Sequence, residues 1–210
     1  MTQKIKRKIE EYGLLLEADP DFPSIVGMVT GEKVKGSWWG HRKGNEIFSI
    51  SRQIRDDDDI LLTKLISGKV TYVHKRLWNH LLTILIDKEN WQVKNMSTNG
   101  ENILKLIEEV GAIRADHLEL ETRNQLSRKD LNKAINEIEK RLLIFSNEVH
   151  TEKGTHSKQL KSWNHFIKEK DLELTRNPSA LSSKQTIDSI VVELNNKFNS
   201  KAKLPWWTQR

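Results

Sequence analysis

Cysteine is absent from the 210 residues, which excludes a disulfide scaffold, thiol catalysis and cysteine-ligated zinc. Long apolar runs are absent too. None approaches the roughly 18–20 residues a membrane-spanning helix needs, so no membrane association is expected. The opening stretch carries Lys4, Lys6, Arg7 and Lys8 with no apolar segment after it, so no secretory leader is expected. There is no Walker A sequence, dinucleotide-binding glycine fingerprint, HExxH or calcium-loop pattern. What is present is charge. Lys and Arg number 35 against 29 Asp and Glu, for a formal charge of +6 and a pI of about 9.4. At 36% hydrophobic and 30% charged, the chain is polar yet short of disordered, and its length suits one large or two small domains. These features predict a soluble, mildly basic, cytoplasmic protein.

The pattern of apolar residues predicts an α+β fold, mainly helical. Ile5, Ile9, Tyr12 and Leu16 set a helix over residues 4–16, broken by Pro20 and Pro23, with Ser24 placed to cap a short helix over residues 25–29. Residues 34–44 hold three glycines and two tryptophans and read as a loop pinned by aromatics. A helix follows over residues 45–54. Residues 60–66 and 69–73, joined at Ser67-Gly68, form a β-hairpin, and residues 74–86 return to a helical period. The polar stretch 94–100 marks a domain boundary. Beyond it come helices over residues 101–110 and 112–120, a third opened by Ser127, and two strands over 143–150 and 156–163 around a polar tip. Three helices and a hairpin in that order predict a winged helix-turn-helix. A connector (164–182), an amphipathic helix (184–199) and a tail ending in Trp206-Trp207 complete the chain. The expected domains are therefore 1–96, 101–165 and 166–210, with no internal repeat apparent.

Charge is evenly split between the halves but uneven within the second. Residues 101–127 hold three basic and six acidic residues, net −3, whereas 128–170 hold ten and six, net +4. In a winged helix the third helix enters the major groove and the wing meets flanking backbone, so these elements should be basic. Opposite the apolar stripe of the third helix lie Arg128, Lys129, Asn132, Lys133, Asn136 and Lys140; the wing adds His150, Lys153, His156 and Lys158. Asn can read adenine edges, and Arg or Lys can serve guanine or phosphate. These are the expected nucleic-acid contacts, with duplex DNA as the partner. An ordinary solvated face is the competing reading.

The densest group of unusual residues is Gly36-Ser37-Trp38-Trp39-Gly40-His41-Arg42-Lys43-Gly44-Asn45-Glu46. Three readings stand. Ser37, His41 and Glu46 can be taken as nucleophile, base and orienter. Trp38 and Trp39 can stack on an unpaired base while Arg42 and Lys43 hold phosphate. The tryptophans can simply plug the core. For a metal, His74 and His80 are six apart and diverge on a helix, and Asp56–Asp59 read as a solvated acidic turn. No metal site and no cofactor are expected. Trp206 and Trp207 read as anchors for the tail, with a partner surface as the alternative.

The segment from Glu148 to His156 resembles the wing of a broad bacterial and archaeal winged-helix family, which includes the alkylpurine DNA glycosylases built from tandem winged helices. The Gly36-to-His41 segment and the Leu204-Pro205-Trp206 tail resemble a group of small, functionally unassigned relatives of those enzymes. The winged-helix similarity spans residues 101–165 and implies DNA binding. The glycosylases position catalytic water with a Gln-x-Gln or Gln-x-Asp triplet, and none of Gln3, Gln53, Gln92, Gln125, Gln159, Gln185 or Gln209 has Gln or Asp two residues on. No catalytic residue carries over. The expected function is DNA binding linked to repair or transcription. A nucleic-acid-processing enzyme using residues 36–46 and a protein-interaction module are the alternatives.

Overall fold

Ile5 and Ile9, one helical turn apart, are fully buried and orient the first helix, α1 (Thr2–Tyr12). Gly13 ends it. Its φ of 81° is left-handed, its N–H donates to the Ile9 carbonyl, and the chain turns into a strand, β1 (Leu14–Leu16). The helical period predicted through Leu16 is therefore cut short. Three consecutive buried leucines carry no alternation to separate strand from helix. A computed structural model of the chain describes residues 1–150, 156–174 and 179–209.

The first unit continues with α2 (Ile25–Thr30), capped by Ser24, then α3 (Gly44–Arg55), β2 (Ile60–Ile66) and β3 (Lys69–His74). β3 lies between β1 and β2, antiparallel to both. Ile5, Ile9, Leu15, Ile25, Ile47, Ile50, Ile54 and Tyr72 close its core. Each such aliphatic side chain contributes about 1.5–3 kcal/mol on burial. Burial pushes the Tyr72 phenol well above its ordinary range. After β3 come a 3-10 turn (Lys75–Leu77) and α4 (Trp78–Ile86).

The chain divides into two compact units, residues 1–83 with 176–210, and residues 84–175. The second unit opens with α5 (Asn90–Val93) and α6 (Thr98–Val110). Then follow β4 (Ala112–Arg114), α7 (Ala115–Thr122), α8 (Arg128–Lys140), β5 (Ile144–His150), β6 (His156–Ser162) and α9 (Trp163–Glu169). Two expectations are corrected here. Residues 112–114 are a strand pairing with β6 rather than the start of a helix. Trp163, expected to end the second strand, opens a helix that runs to Glu169 through the first part of the expected connector. The core gathers Ile103, Ile107, Leu118, Leu131, Ile138 and Leu160.

The two units follow one plan, so the absence of an internal repeat is also corrected. Within each lies the run helix, strand, helix, helix, strand, strand (α1–β1–α2–α3–β2–β3 and α6–β4–α7–α8–β5–β6), with the first strand of the run paired to its third. In each, the first helix ends at a glycine with φ near 80°, Gly13 or Gly111. The carbonyl of that glycine accepts from the last residue of the third strand, His74 N or Ser162 N, at 2.9 Å in both cases. A local sequence match underlies it: Ile5-x-Arg7-x-Ile9-Glu10-Glu11-x-Gly13 against Ile103-x-Lys105-x-Ile107-Glu108-Glu109-x-Gly111.

The last helix, α10 (Ala180–Phe198), belongs to the first unit. Phe198 meets Tyr12 edge-on, and Ser67 and Lys203 exchange two hydrogen bonds. Trp206 and Trp207 both donate to Asp188 Oδ1 at 2.7 Å, and Trp206 is buried. This matches the anchor reading of the tail. Among the described residues no helix is long and apolar enough to cross a membrane.

Candidate nucleic-acid interface

α8 begins at Ser127, whose hydroxyl accepts from Asp130 N and donates to the Asp130 carboxylate at 2.6 Å. That hydrogen bond holds the Asp130 carboxyl below its ordinary value. Leu131, Ala134, Ile135 and Ile138 point inward. Their spacing leaves Arg128, Lys129, Asn132, Lys133, Asn136 and Lys140 on the outside, and all six are exposed. Arg128 stands 3.5 Å from Glu119, and Lys133 stands 3.5 Å from Asp130. Such exposed pairs contribute little and release readily to an incoming phosphate.

The far end of α8 is fixed by Arg141. Its guanidinium donates to the carbonyls of Gln92, Lys94 and Asn95 and pairs with Glu137 at 3.2 Å. Glu137 in turn accepts from the Ser97 backbone at the start of α6. The helix is therefore held at its C-terminal end, with its outward face unobstructed within its own unit.

β5 and β6 pair in continuous register from Ile144↔Ser162 to His150↔His156. His156 is exposed. Lys153 and the His150 side chain lie outside the described residues. Lys158, expected to face a ligand, has its ammonium on both oxygens of the buried Glu139, at 2.7 and 3.0 Å. It compensates a buried charge that would otherwise be costly. Ser157 donates to Asp116 at 2.8 Å, and Arg114 pairs with the same carboxylate. The Arg114 and Ser157 hydrogen bonds hold the Asp116 carboxyl far below the usual range. The hairpin is thus tied to α7 near the turn end of its second strand, where Ser157 pairs with Val149.

The residues of the 36–46 loop do not assemble into a triad. The carboxylate on His41 is Glu32, 2.8 Å from Nε2, while Nδ1 accepts from Lys43 N. Ser37 Oγ accepts from Trp39 N, and Glu46 stands exposed in the first turn of α3. Lys43, expected near phosphate, donates to the Val29 carbonyl at 2.6 Å, while Arg42 is exposed. Trp38 is buried and Trp39 is 65% exposed, the two stacked at 4.3 Å. Gly44 is required here, since a Cβ would come within 2.9 Å of the Trp39 carbonyl.

Sequence reasoning missed Glu32 as the partner of His41, and Phe48 as an exposed neighbour of Trp39 at 5.7 Å. Phe48 follows Ile47 directly, so helical spacing already turned it about 100° off the buried stripe. Nothing local flags Glu32. His74 caps the turn after β3, and His80 faces Ser183. Asp57 pairs with Lys6, and Asp59 with Lys75. Among the described residues no group of three or more His, Asp or Glu side chains is placed to hold a metal ion.

No curated protein and no solved structure matches the chain. A family model does, that described as AlkZ related, and the match runs through both units. With residues 2–204 of 210 matched, the chain belongs to the AlkZ-related family, a family related to DNA glycosylases.

Proposed function

We propose that the chain binds duplex DNA through residues 98–162, used as a winged helix, in a cytoplasmic role linked to DNA repair. The observation that carries this reading is the outward face of α8, where four cations and two asparagines are exposed together on a helix held at its far end. The order α6–β4–α7–α8–β5–β6, with β4 paired to β6, supports it. So does family membership. In this reading the asparagines face base edges, and Lys129, Lys133 and Lys140 face phosphate. Lys158 is assigned to holding the hairpin, which leaves His156 as its described contact. No hydrolytic step is assigned, because the water-positioning glutamine triplet is absent and Ser37, His41 and Glu46 are apart in their bonding.

The test is fluorescence anisotropy of a labelled mixed-sequence duplex. With three phosphate contacts, raising salt threefold weakens binding about twentyfold. Affinity of about micromolar or tighter with that dependence is the expected result. An absence of binding at low salt overturns the reading in favour of a protein-interaction module.

A further inference from the structure

In the first unit, the α3 position that corresponds to Asn132 of α8 is Phe48, and Trp39, from the loop before α3, lies beside it. Trp39 is 65% exposed and Phe48 48%, large values for side chains of this size. Trp38, only 6% exposed, lies under Trp39 with ring centroids 4.3 Å apart and planes within 19°. The stack is therefore anchored in the core on one side and open on the other. The loop that carries it is braced by the His41–Glu32 pair, by the Lys43 ammonium on the Val29 carbonyl and by a turn from the Trp38 carbonyl to His41 N. Leaving an indole face in water on a braced loop forgoes burial that core packing would supply.

The charges around the stack favour one occupant. Residues 32–55 hold six basic and two acidic residues, net +4. Lys35, Arg42 and Arg52 are exposed and hold no ion pair among the described residues. Arg52 lies one helical turn beyond Phe48, on the same face of α3. A flat aromatic surface among exposed cations is the combination that receives unpaired bases on their phosphate chain. A paired base keeps its faces inside the duplex stack and cannot offer one. An apolar protein surface would leave the three cations unmatched.

We infer that the Trp38–Trp39 stack is a binding platform for an unpaired base of single-stranded nucleic acid, with Lys35, Arg42 and Arg52 meeting its phosphates. This site is separate from the duplex-binding face proposed on α8, and neither depends on the other.

The full chain is titrated with a twelve-nucleotide thymidine oligonucleotide, following tryptophan fluorescence, and with a duplex of equal length. The single strand is expected to quench. Trp39→Ala should weaken its binding about tenfold, the affinity equivalent of one lost base–aromatic stack, while Trp39→Phe should retain most of it. Duplex affinity should be unchanged in both variants. Undiminished single-strand binding by Trp39→Ala overturns the proposal, as does equal quenching by the duplex. Self-association that Trp39→Ala abolishes, with no oligonucleotide binding, overturns it in favour of a contact between copies. Loss of duplex binding alone on charge reversal in α8 bears on the other site and leaves this one standing.

Discussion

Ser49 and Lys133 occupy matching turns of α3 and α8, as the buried pairs Ile47 and Leu131, Ile50 and Ala134, and Ile54 and Ile138 show. On that alignment Asn45 matches Lys129, Phe48 matches Asn132, and Arg52 matches Asn136. Charge follows opposite courses through the two units. Residues 1–43 are net +2 and 44–74 net −1, whereas 98–127 are net −3 and 128–162 net +3. The core residues that make the plan are the same in kind, while the outward positions of the third helix diverge freely. A shared fold thus carries two surfaces of different chemistry.

The comparison can be broken most directly at those outward positions. Lys129→Glu with Lys133→Glu should weaken duplex binding about 100-fold and lower its salt slope by about two. Asn45→Glu with Ser49→Glu, at matching positions on α3, should change it less than about twofold. Equal losses would mean that both third helices grip the duplex. Anisotropy across a salt series decides.

The shared closure gives the next effect. A methyl at Gly13 would lie 2.7 Å from the Arg76 guanidinium and from Leu77, and one at Gly111 would lie 2.6 Å from the His165 ring. Both glycines have left-handed φ, so Gly13→Ala and Gly111→Ala should each cost about 1–2 kcal/mol. Hydrogen exchange should confine each loss to its own unit. A loss in the other unit, or a neutral substitution, would show that the glycines are not equivalent.

The smallest effect concerns acid. In both units a carboxylate just after the first strand ties down the third: Asp19 to Lys69, and Asp116 to Ser157, the latter carboxylate also pairing with Arg114 of its own first strand. Burial works to raise the Asp19 carboxyl but is outweighed by Lys69 and the Phe22 and Asp21 amides, which hold it below its ordinary value. Both folded-state values lie below the unfolded one. The stability they contribute is therefore fully present above about pH 4 and lost as pH falls through the folded values. Asp116→Asn, at a half-exposed site, should cost under about 1 kcal/mol at neutral pH and flatten the acid limb of a denaturation profile. An unchanged acid limb would remove the parallel with Asp19.

Much of this fold was legible from periodicity. The apolar stripes of α3, α8 and α10 and the hairpin β2–β3 are strong patterns, with turn residues where turns occur. The two first strands were not legible. Leu14–Leu16 and Ala112–Arg114 are three residues long and held by pairing with residues some fifty positions away. Gly13 and Gly111 were the usable signal, since a glycine after a helical run marks its end. Noticing Glu-Glu-x-Gly twice would have exposed the duplication. At the candidate sites, the exposed face of α8 followed from helical geometry alone. The tie of Lys158 to Glu139 and of His41 to Glu32 depended on which segments pack together, which spacing does not encode.

The return of the chain after residue 175 has a consequence for synthesis. The first unit is discontinuous in sequence, because α10 and the tail pack against α1 and the β2–β3 turn. The second is contiguous. On a translating ribosome, residues 84–175 have all their own partners while residues 1–83 still wait for the helix that covers Tyr12. The usual order, in which the leading domain matures first, is thereby inverted. The unit that is begun first is the last to be completed.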